Sequence, residues 1–137
     1  MTPRILLPAA LLLAALGCDD ASTTTSPTAT TSPVTETFSA QFFPGGSAAR
    51  SFTAASAGTV SITLTQIGPP ADLVVGLAVG IPQSNGSGCY MTQSVNAGAA
   101  SSPQLTVPVD AGSYCVRLYD LGTMKAVAAF SVTIVRP

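Results

Sequence analysis

Alternation between apolar and hydroxyl side chains is the feature that most restricts the fold of this chain. Within Thr59–Thr65, Val60, Ile62 and Leu64 stand at every second position, with Ser or Thr residues between them. Successive side chains of a β-strand point to opposite faces of a sheet, so this segment predicts a strand with one buried face. No apolar stripe with a helical period of useful length runs through residues 34–137, and we expect an all-β domain there.

Other segments between Gly, Pro, Asn and Ser clusters also have the character of strands. They are Thr37–Phe42, Ala49–Ala54, Leu73–Gly80, Gln104–Val109, Tyr114–Leu118 and Ala128–Ile134. Leu73–Gly80 is almost wholly apolar, which predicts a central strand covered on both faces, with Gly76 and Gly80 leaving room for close neighbours. We predict an antiparallel β-sandwich of seven or eight strands over residues 34–137.

The first seventeen residues have the pattern of a cleaved signal peptide. The apolar stretch Ile5–Leu16 follows a single positive charge at Arg4; as a helix it spans roughly 18 Å, less than the ~30 Å core of a bilayer. The sequence Ala15-Leu16-Gly17-Cys18 resembles the lipobox of bacterial lipoproteins, which are cleaved before the cysteine. This resemblance implies a lipoprotein signal peptide at 1–17 and lipidation of Cys18. The alternative is an ordinary secretory leader with Cys18 as a free thiol.

Residues 18–33 contain this cysteine and a linker rich in Ser, Thr and Pro. The linker has no large apolar side chain, so it cannot bury enough surface to offset the entropy of ordering. We predict a disordered tether that reaches roughly 45 Å when extended. The protein would then be extracytoplasmic and anchored to a bacterial membrane by lipid, facing the periplasm or the cell surface.

The two remaining cysteines, Cys89 and Cys115, are predicted to form a disulfide. Export places them in an oxidising compartment, where pairing is the default state of two thiols. Cys115 lies within a predicted strand, whereas Cys89 follows a segment rich in Gly and Ser. A bond between them would join that segment to the sheet. A redox function is the weaker interpretation because the chain has no Cys-x-x-Cys motif.

Catalysis, metal binding and nucleic-acid binding are all disfavoured by composition. The chain has no histidine, five Lys or Arg, six Asp or Glu and a formal charge of -1. It therefore lacks the commonest general base and metal ligand, and it lacks the positive charge that phosphate backbones require. Asp110 and Asp120 lie beside Gly-containing turns, where we expect them to accept hydrogen bonds rather than bind calcium. We predict no enzymatic activity, no metal and no cofactor.

Tyr90, Arg117 and Tyr119 are the candidate binding residues. Tyr119 and Arg117 should share the strand face opposite the core positions Tyr114, Val116 and Leu118. An exposed Tyr and Arg pair suits recognition of a protein or a sugar. The competing interpretation is cross-strand packing on the outer face of the sheet.

Several segments of the domain resemble one bacterial family. They are Thr37-Phe38-Ser39-Ala40, Pro44-Gly45-Gly46-Ser47, Arg50-Ser51-Phe52-Thr53, Ala57-Gly58-Thr59-Val60, Asp72-Leu73 and the run from Gly112 to Asp120. Together they resemble the bacterial pre-peptidase C-terminal domain, which implies a jelly-roll-like β-sandwich. Such domains are appended to secreted peptidases and other exported proteins, and some relatives bind collagen, polysaccharide or calcium. Only Asp72-Leu73 remains here of the family's Asp-x-Asp-Leu pattern.

These observations lead to one functional hypothesis and one alternative. The first is a non-catalytic, lipid-anchored module of the cell envelope that serves an accessory or protein-interaction role. The alternative is a module that binds polysaccharide or matrix through an exposed Tyr and Arg patch. The expected partners are the membrane, through the lipid, and an envelope protein or a polysaccharide, but no nucleic acid.

Overall fold

A computed structural model describes residues 31–86 and 88–137, so the predicted signal peptide, Cys18 and most of the predicted linker lie outside the described residues. The described part of the chain contains eight β-strands and no helix: β1 (Val34–Phe42), β2 (Ser47–Ala54), β3 (Gly58–Gly68), β4 (Val75–Pro82), β5 (Cys89–Ala97), β6 (Leu105–Val109), β7 (Gly112–Tyr119) and β8 (Ala128–Arg136). The prediction of an all-β domain with seven or eight strands is confirmed.

The strands form two antiparallel four-stranded sheets with a jelly-roll topology. The first sheet has the order β1-β8-β3-β6 and the second β2-β7-β4-β5. Strand β1 pairs with β8, β2 with β7, β3 with β6 and β4 with β5. The chain therefore folds as one long hairpin, with its tip between β4 and β5, that rolls into two facing sheets.

The core lies between the two sheets and is built from the alternating apolar positions. Val60, Ile62 and Leu64 of β3 are completely buried, as their spacing predicts. On the neighbouring strand, the ring of Phe130 meets the rings of Phe38 and Phe42 edge-on, with centroids 5.2 and 5.7 Å away. Edge-to-face pairs of this kind add to the stability that burial alone supplies.

Strand β4 is covered on both faces, as predicted, but it begins later than its composition suggests. Residues 75–80 are all buried. Leu73 and Val74 are apolar but precede the strand, because the backbone N–H of Leu73 donates to the carbonyl of Pro70 and closes a turn. On the outer face, a side chain at Gly76 would collide with the ring of Tyr119, and one at Gly80 with the backbone of Tyr90. Both glycines provide the space that their positions in the sequence predict.

The disulfide between Cys89 and Cys115 is present and spans a strand. Cys89 lies on β5 and Cys115 on β7, which flank β4 in the sheet. Strands that flank a third strand lie roughly 9.6 Å apart, yet the two Cα atoms are 5.8 Å apart. The first residues of β5 therefore fold over the outer face of β4 at Gly80, where no side chain obstructs the backbone of Tyr90.

The connections divide between two opposite ends of the sandwich. We call one the loop end, defined by the β1–β2 turn (43–46), the β3–β4 loop (69–74) and the β7–β8 loop (120–127). The other is the hairpin end, which holds the β4–β5 and β6–β7 turns together with Val34 and Pro137. At the hairpin end Arg136 is 3.2 Å from the carboxylate of Glu36 and also donates to the carbonyl of Thr53, so it joins the two sheets.

Removing the disulfide should weaken the domain without changing its fold. In the chain-entropy picture, a crosslink across a separation of 26 residues stabilises the folded state by about 3.5 kcal/mol. We expect the double variant Cys89→Ala and Cys115→Ala to lose roughly this free energy of unfolding in denaturant titrations. Wild-type protein kept in a reductant should show a similar loss. Unchanged stability in both experiments would contradict a structural role for the bond.

Candidate functional site

The structure brings Arg117 and Tyr119 together on the outer face of β7, as predicted. Both side chains are half-buried. The Nη2 atom of Arg117 donates to the hydroxyl of Ser47 on β2 at 3.0 Å, and the ring of Tyr119 lies over Gly76 of β4. Contacts with the two neighbouring strands therefore explain why Arg117 and Tyr119 are half-buried. This favours cross-strand packing over recognition of a partner as the role of the pair.

Tyr90 lies apart from this pair. It is opposite Ile81 on β4, whereas Tyr119 is opposite Gly76. Five residues of an extended strand separate these positions by about 17 Å. Tyr90 lies at the hairpin end and is 66% exposed. The three predicted binding residues consequently do not form one patch.

Asp120 is the centre of a second arrangement, at the loop end. Its Oδ1 atom accepts hydrogen bonds from the backbone N–H groups of Gly122, Thr123 and Met124 at 2.9 to 3.1 Å. Its Oδ2 atom accepts another from the N–H of Gly45 at 2.8 Å. One carboxylate thus shapes the β7–β8 loop and joins it to the β1–β2 turn. The expectation that Asp120 accepts hydrogen bonds in a turn agrees with this geometry.

The same contacts change the acidity of this carboxyl group. The N–H of Gly45 is the main cause that lowers the pKa of Asp120 below its ordinary value of 3.8, and the N–H groups of Met124, Thr123 and Gly122 act in the same direction. Partial desolvation opposes them. Each N–H group favours the charged form because it donates to a carboxylate oxygen. The hydrogen bonds that the Asp120 carboxylate accepts from the two loops are therefore strongest when Asp120 is ionised.

Large apolar side chains project from the loops that Asp120 connects. Phe43, in the β1–β2 turn, is 69% exposed, and Leu121, which follows Asp120, is 38% exposed. The turn itself is closed by a 2.8 Å hydrogen bond from the N–H of Gly46 to the carbonyl of Phe43. The N–H of Asp120 also donates to the carbonyl of Gly46 at 3.1 Å. Phe43 and Leu121 are thus presented to solvent on backbones that hydrogen bonds hold in place.

An apolar cavity also opens at the loop end. It has a volume of about 310 Å³ and lies between the β3–β4 and β7–β8 loops. Leu73 and Met124 line it and are themselves buried. The rest of its wall is formed by Pro69, Pro70, Thr123, Lys125 and Ala126. A cavity of this size accommodates a protruding apolar side chain from a partner.

Phe43 and Leu121 of the loop end are not among the binding residues predicted from the sequence. A signal is present in Phe42-Phe43-Pro44, because two consecutive aromatic residues on a half-buried strand cannot both face the core. Phe42 is buried and Phe43 is exposed, as this rule requires. No comparable signal marks Leu121, because its position depends on the contacts of Asp120.

Residues 31–86 and 88–137 contain neither a cluster of metal-ligating side chains nor a membrane-spanning helix. No three His, Cys, Asp or Glu side chains of this part come together in a way that would hold a metal ion. Within the same residues there is no helix of the length and apolar character needed to cross a bilayer.

The described domain therefore belongs to the structural class of jelly-roll sandwiches with exposed apolar loops at one end. No family model matches the chain, and no curated protein matches its sequence. Among solved structures, it resembles PliG from Aeromonas hydrophila, a periplasmic inhibitor of g-type lysozyme, with 12% identity and a TM-score of 0.51 over 74% of this chain and 86% of that chain. PliG from Salmonella Typhimurium matches with 14% identity and a TM-score of 0.45, over 74% and 87% of the two chains. The likeness to the Aeromonas protein is one of fold.

The role of Asp120 predicts a specific dependence of stability on pH. A group with a lowered folded-state pKa adds stability that is fully present above its unfolded pKa and is lost as the pH falls through the folded value. Asn at this position keeps one acceptor oxygen but directs an NH₂ group at the N–H of Gly45. We expect Asp120→Asn to be less stable than wild type at neutral pH, with the difference shrinking as the pH falls below 3.8.

The control for this experiment is Asp110→Asn. Asp110 is exposed, and its hydrogen bonds to the hydroxyl of Tyr114 use its backbone rather than its carboxylate. Free energies of unfolding from denaturant titrations at a series of pH values would test the three proteins. If the free energies of unfolding of wild type and Asp120→Asn change in parallel with pH, the ionised carboxylate of Asp120 does not stabilise the fold.

Proposed function

We propose that this chain is a non-catalytic, lipid-anchored interaction module of the bacterial cell envelope, and that its loop end binds a protein partner. The observation that carries the proposal is the exposure of Phe43 and Leu121 on loops fixed by Asp120. Aromatic side chains that project from a rigid surface are frequent centres of protein interfaces.

The rigidity of the loop end favours binding in a second way. Ordering a mobile loop costs free energy at the moment of association. The carboxylate of Asp120 and the backbone bonds of Gly45 and Gly46 order these loops in the free protein. Because no free energy would be spent on ordering the loops, the contacts of Phe43 with a partner would give a higher affinity than the same contacts made from a mobile loop.

The comparison with PliG supports a protein as the ligand and an extracytoplasmic location. PliG of Aeromonas hydrophila, which has a similar fold, is a periplasmic inhibitor whose target is a lysozyme. The resemblance of the domain to pre-peptidase C-terminal domains, which are found in exported proteins, supports the same location. A secreted hydrolase of the envelope is therefore the kind of partner we propose.

Attachment to the membrane forms part of the proposal and rests on the sequence of the leader. The lipobox-like Ala15-Leu16-Gly17-Cys18 supports lipidation of Cys18, and the polar composition of residues 19–33 supports a tether between lipid and domain. The Arg117 and Tyr119 pair is not our proposed binding surface, because both side chains contact neighbouring strands.

Site-specific photocrosslinking in the native bacterium tests the proposed interface. A benzophenone side chain at position 43 or 121 should give an adduct of the same size, containing one other envelope protein. The matched control carries the probe at Thr106, which is exposed on β6 away from the loops. Adducts that are absent, or equally abundant from position 106, would refute the loop end as the interface.

A substitution tests the contribution of the aromatic ring. Truncating a central interface residue costs about 2 kcal/mol or more, which corresponds to a loss of roughly thirtyfold in affinity. We expect Phe43→Ser to reduce the adduct formed from position 121 on this scale. Its free energy of unfolding should change little because the side chain is already exposed. An undiminished adduct would exclude Phe43 from the interface.

The anchor is tested separately by mass spectrometry and fractionation. We expect the native protein to begin at Cys18 with the mass of an attached diacylglycerol and to sediment with membranes. Cys18→Ser should stop this processing and remove the mass of the lipid. An unmodified N-terminus upstream of Cys18 in the native protein would overturn the lipoprotein assignment.

A further inference from the structure

A groove on the outer face of the first sheet has a chemical character unlike that of the loop end. It has a volume of about 750 Å³, crosses β1, β8 and β3, and extends to Ala71 of the β3–β4 loop and to Ala99 after β5. The residues that matter here are Ser39 and Gln41 of β1, Ala129 and Ser131 of β8, and Thr65 and Gln66 of β3. None of the residues that line the groove is charged.

A β-bulge in β3 shapes one wall of the groove. Leu64 pairs with Val132, and Gln66 pairs with the next residue, Ser131, so Thr65 is inserted between the paired positions. The hydroxyl of Thr65 donates to the carbonyl of Ser131 at 3.0 Å. A bulge re-aims the side chains around it, and here both Thr65 and Gln66 are exposed along the groove.

The hydrogen-bonding groups of the groove fall into two sets. The hydroxyls of Ser39 and Ser131 bond each other across the strands at 2.7 Å, and Thr65 bonds the backbone. The amides of Gln41 and Gln66, on opposite sides of β8, form no hydrogen bond with another residue of the described part. Each amide offers two donors and an acceptor. The groove therefore has free hydrogen-bonding capacity on both walls.

Small residues form the bottom of the groove, its floor, between these amides. Ala129 is opposite Gln41 on β1 and Gly68 on β3, so small side chains occupy the middle of the groove at this level. A planar or ring-shaped ligand can thus approach the sheet closely while both amides reach its edges. In the described chain, this combination arises from residues far apart in sequence.

We propose that this groove binds a neutral polysaccharide. The sugar hydroxyls would replace water on the amides of Gln41 and Gln66, each acting as donor and acceptor. A charged ligand would lose its hydration without gaining an opposite charge from the groove, which is unfavourable. An apolar ligand would bury both amides without hydrogen-bond partners, which is also unfavourable. The site is distinct from the Arg117 and Tyr119 pair, which lies on the other sheet, and from Phe43 at the loop end.

Binding of the purified full chain, in detergent, to immobilised polysaccharides tests the proposal. The neutral probes are hydroxyethyl cellulose, dextran and galactomannan, and carboxymethyl cellulose is the charged counterpart of the first. We expect binding to at least one neutral probe and no preference for the charged one. A chain that binds none of the neutral probes, or prefers the carboxymethylated one, overturns the proposal.

Variants then locate the bound sugar. We expect Gln41→Ala and Gln66→Ala each to weaken binding by about five- to tenfold, the effect of losing one or two neutral hydrogen bonds. Ala129→Leu should abolish binding by filling the floor.

Three control variants should bind as wild type does. They are Thr106→Ala on the same sheet, Tyr119→Ala on the other sheet, and Phe43→Ser. Binding that survives the three groove substitutions, or is lost with Tyr119→Ala, refutes the assignment of this groove. Because Phe43→Ser is a control here, failure of the groove and failure of the loop end are separately visible.

Discussion

Burial of the alternating apolar side chains between the two sheets is the interaction on which the rest of this domain depends. Val60, Ile62, Val132 and Ile134 are completely buried and face the second sheet, where Leu77 and Leu118 are equally buried. Because this contact holds the fold, the outer faces need neither charge nor large side chains, and the few charged groups serve local purposes. Glu36 and Arg136 join the sheets at the hairpin end, and Asp120 orders the loop end.

The consequence is a domain whose surfaces differ in chemistry although all are poor in charge. The loop end carries exposed apolar side chains and an apolar cavity. The outer face of the first sheet carries hydroxyls and amides, because alternation places Ser39, Thr65 and Ser131 outside whenever their neighbours lie inside. The outer face of β4 has only small residues, which allows Tyr119 and the start of β5 to pack closely on it. The two outer faces follow from the residues that alternation leaves outside the core.

Much of this fold could be predicted from local pattern, and the limits of that prediction have physical causes. Period-two alternation identifies the inner face of β3, and the predicted export together with two remaining cysteines predicts the disulfide. The start of β4 was placed at Leu73 because composition does not reveal a hydrogen bond to Pro70. The distance between Tyr90 and Tyr119 depends on strand register, which a single sequence does not reveal. The groove joins residues 41, 66 and 131, and no local pattern predicts such a meeting.

The topology also gives the proposed anchor a geometric consequence. Strand β1 starts at Val34, opposite Arg136 at the hairpin end, and finishes at Phe42, next to the β1–β2 turn of the loop end. Its nine residues extend about 30 Å. A lipid at Cys18 would thus connect to the hairpin end and leave Phe43 on the side of the sandwich farther from its attachment. Because Asp120 orders the loops in the absence of a partner, this distal surface would be ready to bind without first being ordered, and the membrane would not have to be displaced.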